Sequence, residues 1–126
     1  MAKFSAQQVY SVISEYTLTP EQVAAVEGSS LSAPTLIVAG AGSGKTELMT
    51  VRILYLVANG FALPAEILGL TFTKKAASEL SNRVSQALFR MRETEFWPAE
   101  LSSDFEKPKI ATYNSFGNEM FRELAL

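Results

Sequence analysis

The run AGAGSGKT, Ala39 to Thr46, sets a lysine and a hydroxyl directly behind three alternating glycines. Gly40, Gly42 and Gly44 free the backbone to turn successive N–H groups onto one anion. A helix beginning at the end of this run adds its positive dipole end. Lys45 supplies a mobile charge for the β and γ phosphates of a nucleotide such as ATP, and the Thr46 hydroxyl suits Mg²⁺. The pattern is G-x-x-x-x-G-K-[ST] with Ala39 at its first position. It assigns Ala39, Gly40, Ala41, Gly42, Ser43, Gly44, Lys45 and Thr46 to nucleotide binding. A purely structural Gly-rich turn is the competing reading, and the elements on either side decide between them.

A second constellation is Phe72-Thr73-Lys74-Lys75, an aromatic and two cations at the end of an apolar run. An exposed ring there can stack on a base of any sequence for about 1 to 3 kcal/mol, and the lysines can meet phosphates. A strand Phe is also commonly a core residue, which is the alternative for Phe72.

Composition limits what other chemistry is open. The 126 residues contain no His and no Cys. That excludes a disulfide, a Cys nucleophile, a Ser/His/Asp relay and a zinc site of the usual ligand types. The net charge of -2 hides an asymmetry. Lys74 to Arg92 holds five basic residues and one acid, whereas Glu93 to Glu106 holds five acids and no Lys or Arg. A basic stripe on an acidic protein follows, or two solvated faces. The length suits one domain. No apolar run is long enough to span a bilayer, and MAKFSAQQ turns polar too soon for a signal peptide, so a soluble cytoplasmic protein is expected.

Positioning these residues requires strands and helices in alternation. Ser5 with Gln8 reads as a capping box opening a helix through Val9, Val12, Ile13 and Tyr16. Thr19-Pro20-Glu21-Gln22 repeats the device ahead of Val23 and Val26. Thr35 to Ala39 reads as a buried strand leading into the glycine run, followed by a helix from about Lys45 to Ala58 that Asn59-Gly60 stops. Glu66 to Phe72 is a second strand, Lys74 to Arg92 a helix with Ala77, Leu80, Val84, Leu88 and Met91 on one face. After a polar stretch containing Trp97-Pro98 come a third strand, Lys109 to Thr112, and a helix from about Ser115 to Leu126. This order predicts an α/β fold, a parallel sheet with covering helices.

Four ordered segments, LTPEQ (Leu18 to Gln22), AGAGSGKT, LGLTFTKKAASEL (Leu68 to Leu80) and ATYNSFG (Ala111 to Gly117), resemble the first motifs of superfamily 1A DNA helicases of the UvrD/Rep/PcrA type. The flanks RILYLVANG and LGLTFTKKAA are more narrowly similar to actinobacterial AdnAB-like helicase-nuclease subunits. The resemblance implies a partial P-loop NTPase (RecA-like) domain that uses ATP and Mg²⁺ and moves 3′ to 5′ on single-stranded DNA, with Lys45 and Thr46 catalytic. It assigns Gln22 to the adenine edge, whereas the residues alone make Gln22 the third helical position of a capping box. It assigns Phe72, Thr73 and Lys74, and then Thr112, Tyr113 and Asn114, to single-stranded DNA. Asn114 or Ser115 also reads as the cap of the last helix. The chain has Glu47 where repair relatives often have Arg, Lys74 where many have Asn, and Asn114 where His is more usual. A partner helicase-nuclease subunit is a further implication.

Hydrolysis needs an acid at a strand end for Mg²⁺, a group to place the attacking water, and usually an Arg. No apolar run in the chain ends in Asp-Glu. Residues 1–126 are therefore expected to be the N-terminal part of the first ATP-binding lobe, ending before Walker B, with weak nucleotide binding and negligible turnover alone. A non-catalytic module for nucleotide and single-stranded DNA is the alternative. A P-loop kinase of small molecules would need an Arg-rich lid, and none of Arg52, Arg83, Arg90, Arg92 and Arg122 lies in a Gly-flanked one.

Overall fold

The computed structural model describes residues 3–28, 35–38, 43–101, 105–112 and 114, with the backbone alone at 35–38 and 43–46. The order of elements is α1 (Ala6–Tyr10), α2 (Pro20–Glu27), β1 (Thr35–Val38), α3 (Ser43–Ala58), a 3-10 turn (Pro64–Glu66), β2 (Ile67–Thr71), α4 (Lys74–Arg92) and β3 (Lys109–Thr112). The strands form one parallel sheet in the order β1-β2-β3. The α/β expectation holds, and each strand falls within a residue or two of its predicted span.

Helix α3 is the centre of the molecule. From Val51 to Ala58 every residue but Arg52 is buried, as expected of a helix packed on all sides. α1 and α2 lie against it, and so does α4. α3 and α4 cover the same face of β2, since a Cβ built on Gly69 meets Met49 Cε of α3 at 3.7 Å and Leu80 Cδ2 of α4 at 3.6 Å. Side chains of Ile53, Leu54, Leu56, Leu80, Leu88 and Met91 are wholly enclosed there. Each contributes about 1.5 to 3 kcal/mol of hydrophobic free energy. Among the described residues no helix is long and apolar enough to cross a membrane.

The end of α3 is built by Asn59 and Gly60. Gly60 takes φ +71°, its N–H donates to Val57 O at 3.1 Å, and Phe61 N–H donates to Leu56 O at 2.9 Å. This pair of bonds satisfies carbonyls the helix would otherwise leave open. Asn59 also ties down the start of the chain, its Oδ1 accepting from the backbone N–H groups of Lys3 (2.6 Å) and Phe4 (2.8 Å).

Three expectations are corrected. α1 ends at Tyr10, well short of Tyr16, which is 78% exposed. Beyond Tyr10 the backbone tightens, with Val12 N–H bonding Val9 O and Ile13 N–H bonding Tyr10 O, and the Ser11 hydroxyl takes Gln8 O. Serines that bond nearby carbonyls compete with helix continuation. The stretch after α4 is not simply polar: Phe96, Trp97, Leu101 and Phe105 pack on the core, with Trp97 Nε1 donating to Leu101 O at 3.2 Å. The basic residues of α4 do not form one stripe. Arg83 and Arg90 border a groove toward α3, whereas Arg92 lies over the Phe89 ring, 4.9 Å from its centroid. The helix expected from Ser115 lies outside the described residues.

Candidate functional site

Parallel register gathers the three motif segments at one edge of the sheet. Val38, the last residue of β1, pairs with Leu70, and Thr71 pairs with Thr112. β1, β2 and β3 therefore end along one side of the sheet, with the end of β2, which leads into Phe72-Thr73-Lys74, between the other two. Ligands of open α/β sheets sit at the carboxyl ends of strands.

β1 is followed, after the glycine run, by a helix whose first residue is Ser43. Lys45 and Thr46 thus stand in the first turn of α3. Ala39, Gly40, Ala41 and Gly42 lie outside the described residues.

Phe72 is 61% exposed, which removes the core reading of this ring. Lys74 and Lys75 are exposed in the first turn of α4. Thr73 is the N-cap of that helix, its hydroxyl accepting from Ala76 N–H at 3.0 Å, and Thr71 Oγ1 donates to Thr73 O at 3.1 Å. The turn is thereby fixed with the aromatic and both ammonium groups outward. α4 has no acid in its first turn. Two lysines at the positive end of a helix dipole are unfavourable to the helix, by about 0.3 to 1 kcal/mol each, and favourable to an anion. At the end of β3, Thr112 is largely buried and Asn114 is exposed, while Tyr113 lies outside the described residues.

Gln22 is exposed on α2 and closes the capping box: Thr19 Oγ1 accepts from Gln22 N–H at 3.2 Å, and Gln22 Oε1 accepts from Thr19 N–H at 2.9 Å. The same side chain borders a hollow of about 20 Å³ with Tyr10, Leu18, Glu47, Leu48 and Val51. Capping and a place beside the first turns of α3 are compatible, because the amide nitrogen is not used by the cap. Tyr10, absent from the sequence reading, donates its hydroxyl to Glu47 Oε1 at 3.2 Å.

Arg52 holds α2 in this place. Its Nη1 donates to Val26 O at 2.7 Å, with Ala25 O at 3.4 Å and Gly28 O at 3.5 Å. Burial holds this guanidinium below its usual range, and Tyr55 acts in the opposite sense. Burial, helped by Glu27, pushes the Tyr55 hydroxyl above its ordinary value. Neither residue was legible as a site element, since a lone Arg in an apolar helix carries no motif. Among the described residues no group of three or more acids is placed to hold a metal.

Comparison with known proteins agrees with this arrangement. Residues 18–126 match the model of the UvrD/REP helicase N-terminal domain. The chain is 36% identical over 105 residues to a probable DNA helicase II homolog of Mycoplasma capricolum, covering 83% of the chain and 12% of that protein. It is 48% identical over 71 residues to the ATP-dependent DNA helicase PcrA of Bacillus subtilis, covering 56% of the chain and 9% of the relative. With the ATP-dependent DNA helicase UvrD1 of Mycobacterium tuberculosis the identity is 54% over 69 residues, 53% of the chain and 8% of the relative. The chain thus spans about a tenth of the length of these relatives. With its motif segments converging on one sheet edge and the family model matched from Leu18 onward, the chain belongs to the UvrD/REP helicase N-terminal domain family.

Proposed function

We propose that this chain is the nucleotide-holding first part of an ATP-dependent DNA helicase that moves 3′ to 5′ on single strands in repair or recombination, folded as a partial RecA-like lobe. The observation that carries this reading is the shared strand edge, where β1 ends against β2 and β2 leads into exposed Phe72, Lys74 and Lys75. A nucleotide and a strand of DNA held at one edge can influence each other through β2 and its connections.

In this reading the amides of residues 39–44 and Lys45 hold the phosphate tail, and Gln22 faces the adenine edge. Thr46 would ligate Mg²⁺, which would supply neutralisation of phosphate charge. Phe72 stacks on a base, Lys74 and Lys75 meet phosphates, and Thr73, Thr112, Tyr113 and Asn114 line the path of the strand. Acids for the metal and a transition-state Arg come from sequence beyond these residues, together with any helicase-nuclease partner subunit, so turnover by residues 1–126 alone is negligible. The protein then acts in the cytoplasm on DNA.

Binding of a fluorescent oligothymidylate tests the proposal. Affinity falls with salt at a log-log slope near -0.7 per phosphate neutralised. Phe72→Ala weakens binding by about 1 to 3 kcal/mol without changing that slope. A salt-independent signal, or one indifferent to Phe72 and Lys74, contradicts it.

A further inference from the structure

The groove between α3 and α4 belongs to none of the segments above. It is a cavity of about 170 Å³. Its floor is made by Thr50 and Ala87, each 2% exposed, and Ile13 forms an apolar wall. Arg83, Gln86 and Arg90 stand along one side on a single flank of α4. Positions seven apart lie two turns along a helix, about 10 Å, so long side chains from Arg83 and Arg90 can converge on one oxyanion. Among the described residues neither guanidinium has an ion pair or hydrogen bond.

Glu47 faces this same groove, one of its oxygens already bonded by the Tyr10 hydroxyl. Two guanidiniums and one carboxylate leave a formal charge of 2 - 1 = +1. A bare anion would be drawn by the arginines and opposed by Glu47. A ligand that joins an anion to hydrogen-bond donors satisfies both, and a flat ring adds contact with Ile13 and Ala87.

We infer that this groove is a second nucleotide-unit site: the phosphate sits between Arg83 and Arg90, and a base N–H group donates to Glu47. The inference does not rest on the nucleotide reading of the glycine run. A free mononucleotide and a nucleotide within a single strand present the same chemistry.

The test is calorimetric binding of dAMP, of an eight-residue oligothymidylate and of inorganic phosphate to protein carrying Lys45→Ala and Phe72→Ala, which weakens the sites proposed above. Adding Arg83→Gln and Arg90→Gln weakens at least one of the first two probes tenfold or more. Loss for both means that free nucleotides are accepted, and loss for the oligonucleotide alone means that the strand is the source. Both arginines are exposed, and an Arg83→Lys, Arg90→Lys pair that keeps the charge retains part of the affinity with an unchanged melting curve. Glu47→Gln narrows the preference for dAMP or oligonucleotide over inorganic phosphate severalfold. Absence of binding, affinities indifferent to both arginine pairs, or an unchanged preference in Glu47→Gln overturns the inference.

Discussion

Arg52 reaches from the middle of α3 to the last carbonyls of α2, so the residue that fixes Gln22 in place is not itself near any motif. Hydrogen bonds from a charged donor contribute about 1.5 to 3 kcal/mol, and Arg52→Met is expected to cost that much in urea unfolding. It should also weaken nucleotide binding, because α2 loses its tether to α3. Tyr55 supplies a pH dependence. Its hydroxyl is raised above 10.0 by burial, so the folded state holds the proton more tightly than the unfolded chain does. The stabilisation it brings is complete below about pH 10 and is lost as pH rises through the folded value. Tyr55→Phe should flatten the alkaline limb of a stability profile while leaving the neutral region unchanged. Under the proposed function Lys75 sets stability against binding. Lys75→Glu places an acid at the positive end of α4, which should raise stability by about 0.3 to 1 kcal/mol while weakening oligonucleotide binding. A variant that loses both would place Lys75 in the packing of the helix.

At the scale of elements, those with a strong local signal were legible from sequence. Both capping boxes form, with Ser5 and Gln8 bonding reciprocally and Thr19 and Gln22 doing the same. The α4 pattern of Leu80, Val84, Leu88 and Met91 forms its buried face. The length of α1 was not legible, because Val12 and Ile13 keep their half-buried places after the helix has given way to tighter turns. The packing of Phe96, Trp97 and Phe105 was hidden too, since a run of acids outweighs scattered aromatics in any reading by composition. Asn59-Gly60 was read as a helix stop, and its geometry yields a prediction. Gly60→Ala forces a Cβ into a left-handed backbone with nothing within 4 Å, so the cost is conformational alone, about 1 to 2 kcal/mol by thermal or urea unfolding. Gly60→Asn should cost less, as Asn tolerates this region better.

For the whole molecule, the site was legible as three separate segments, whereas their meeting depends on strand order and register, which no local pattern encodes. β2 between β1 and β3 is what brings Val38, Thr71 and Thr112 to one edge. The charge arrangement behaves likewise: the five basic residues within Lys74 to Arg92 left a basic stripe and a solvated face both open, and helical geometry divides them between the strand edge, the α3 groove and the Phe89 ring. The central claim is that this edge grips a nucleotide through the first turn of α3. Titration of a fluorescent ATP analogue with Mg²⁺ into the wild-type protein and into Lys45→Ala tests it most directly. The account predicts saturable binding that Lys45→Ala weakens at least tenfold, with a smaller loss in Gln22→Ala. Binding equal in wild type and Lys45→Ala, or none in either, would contradict it.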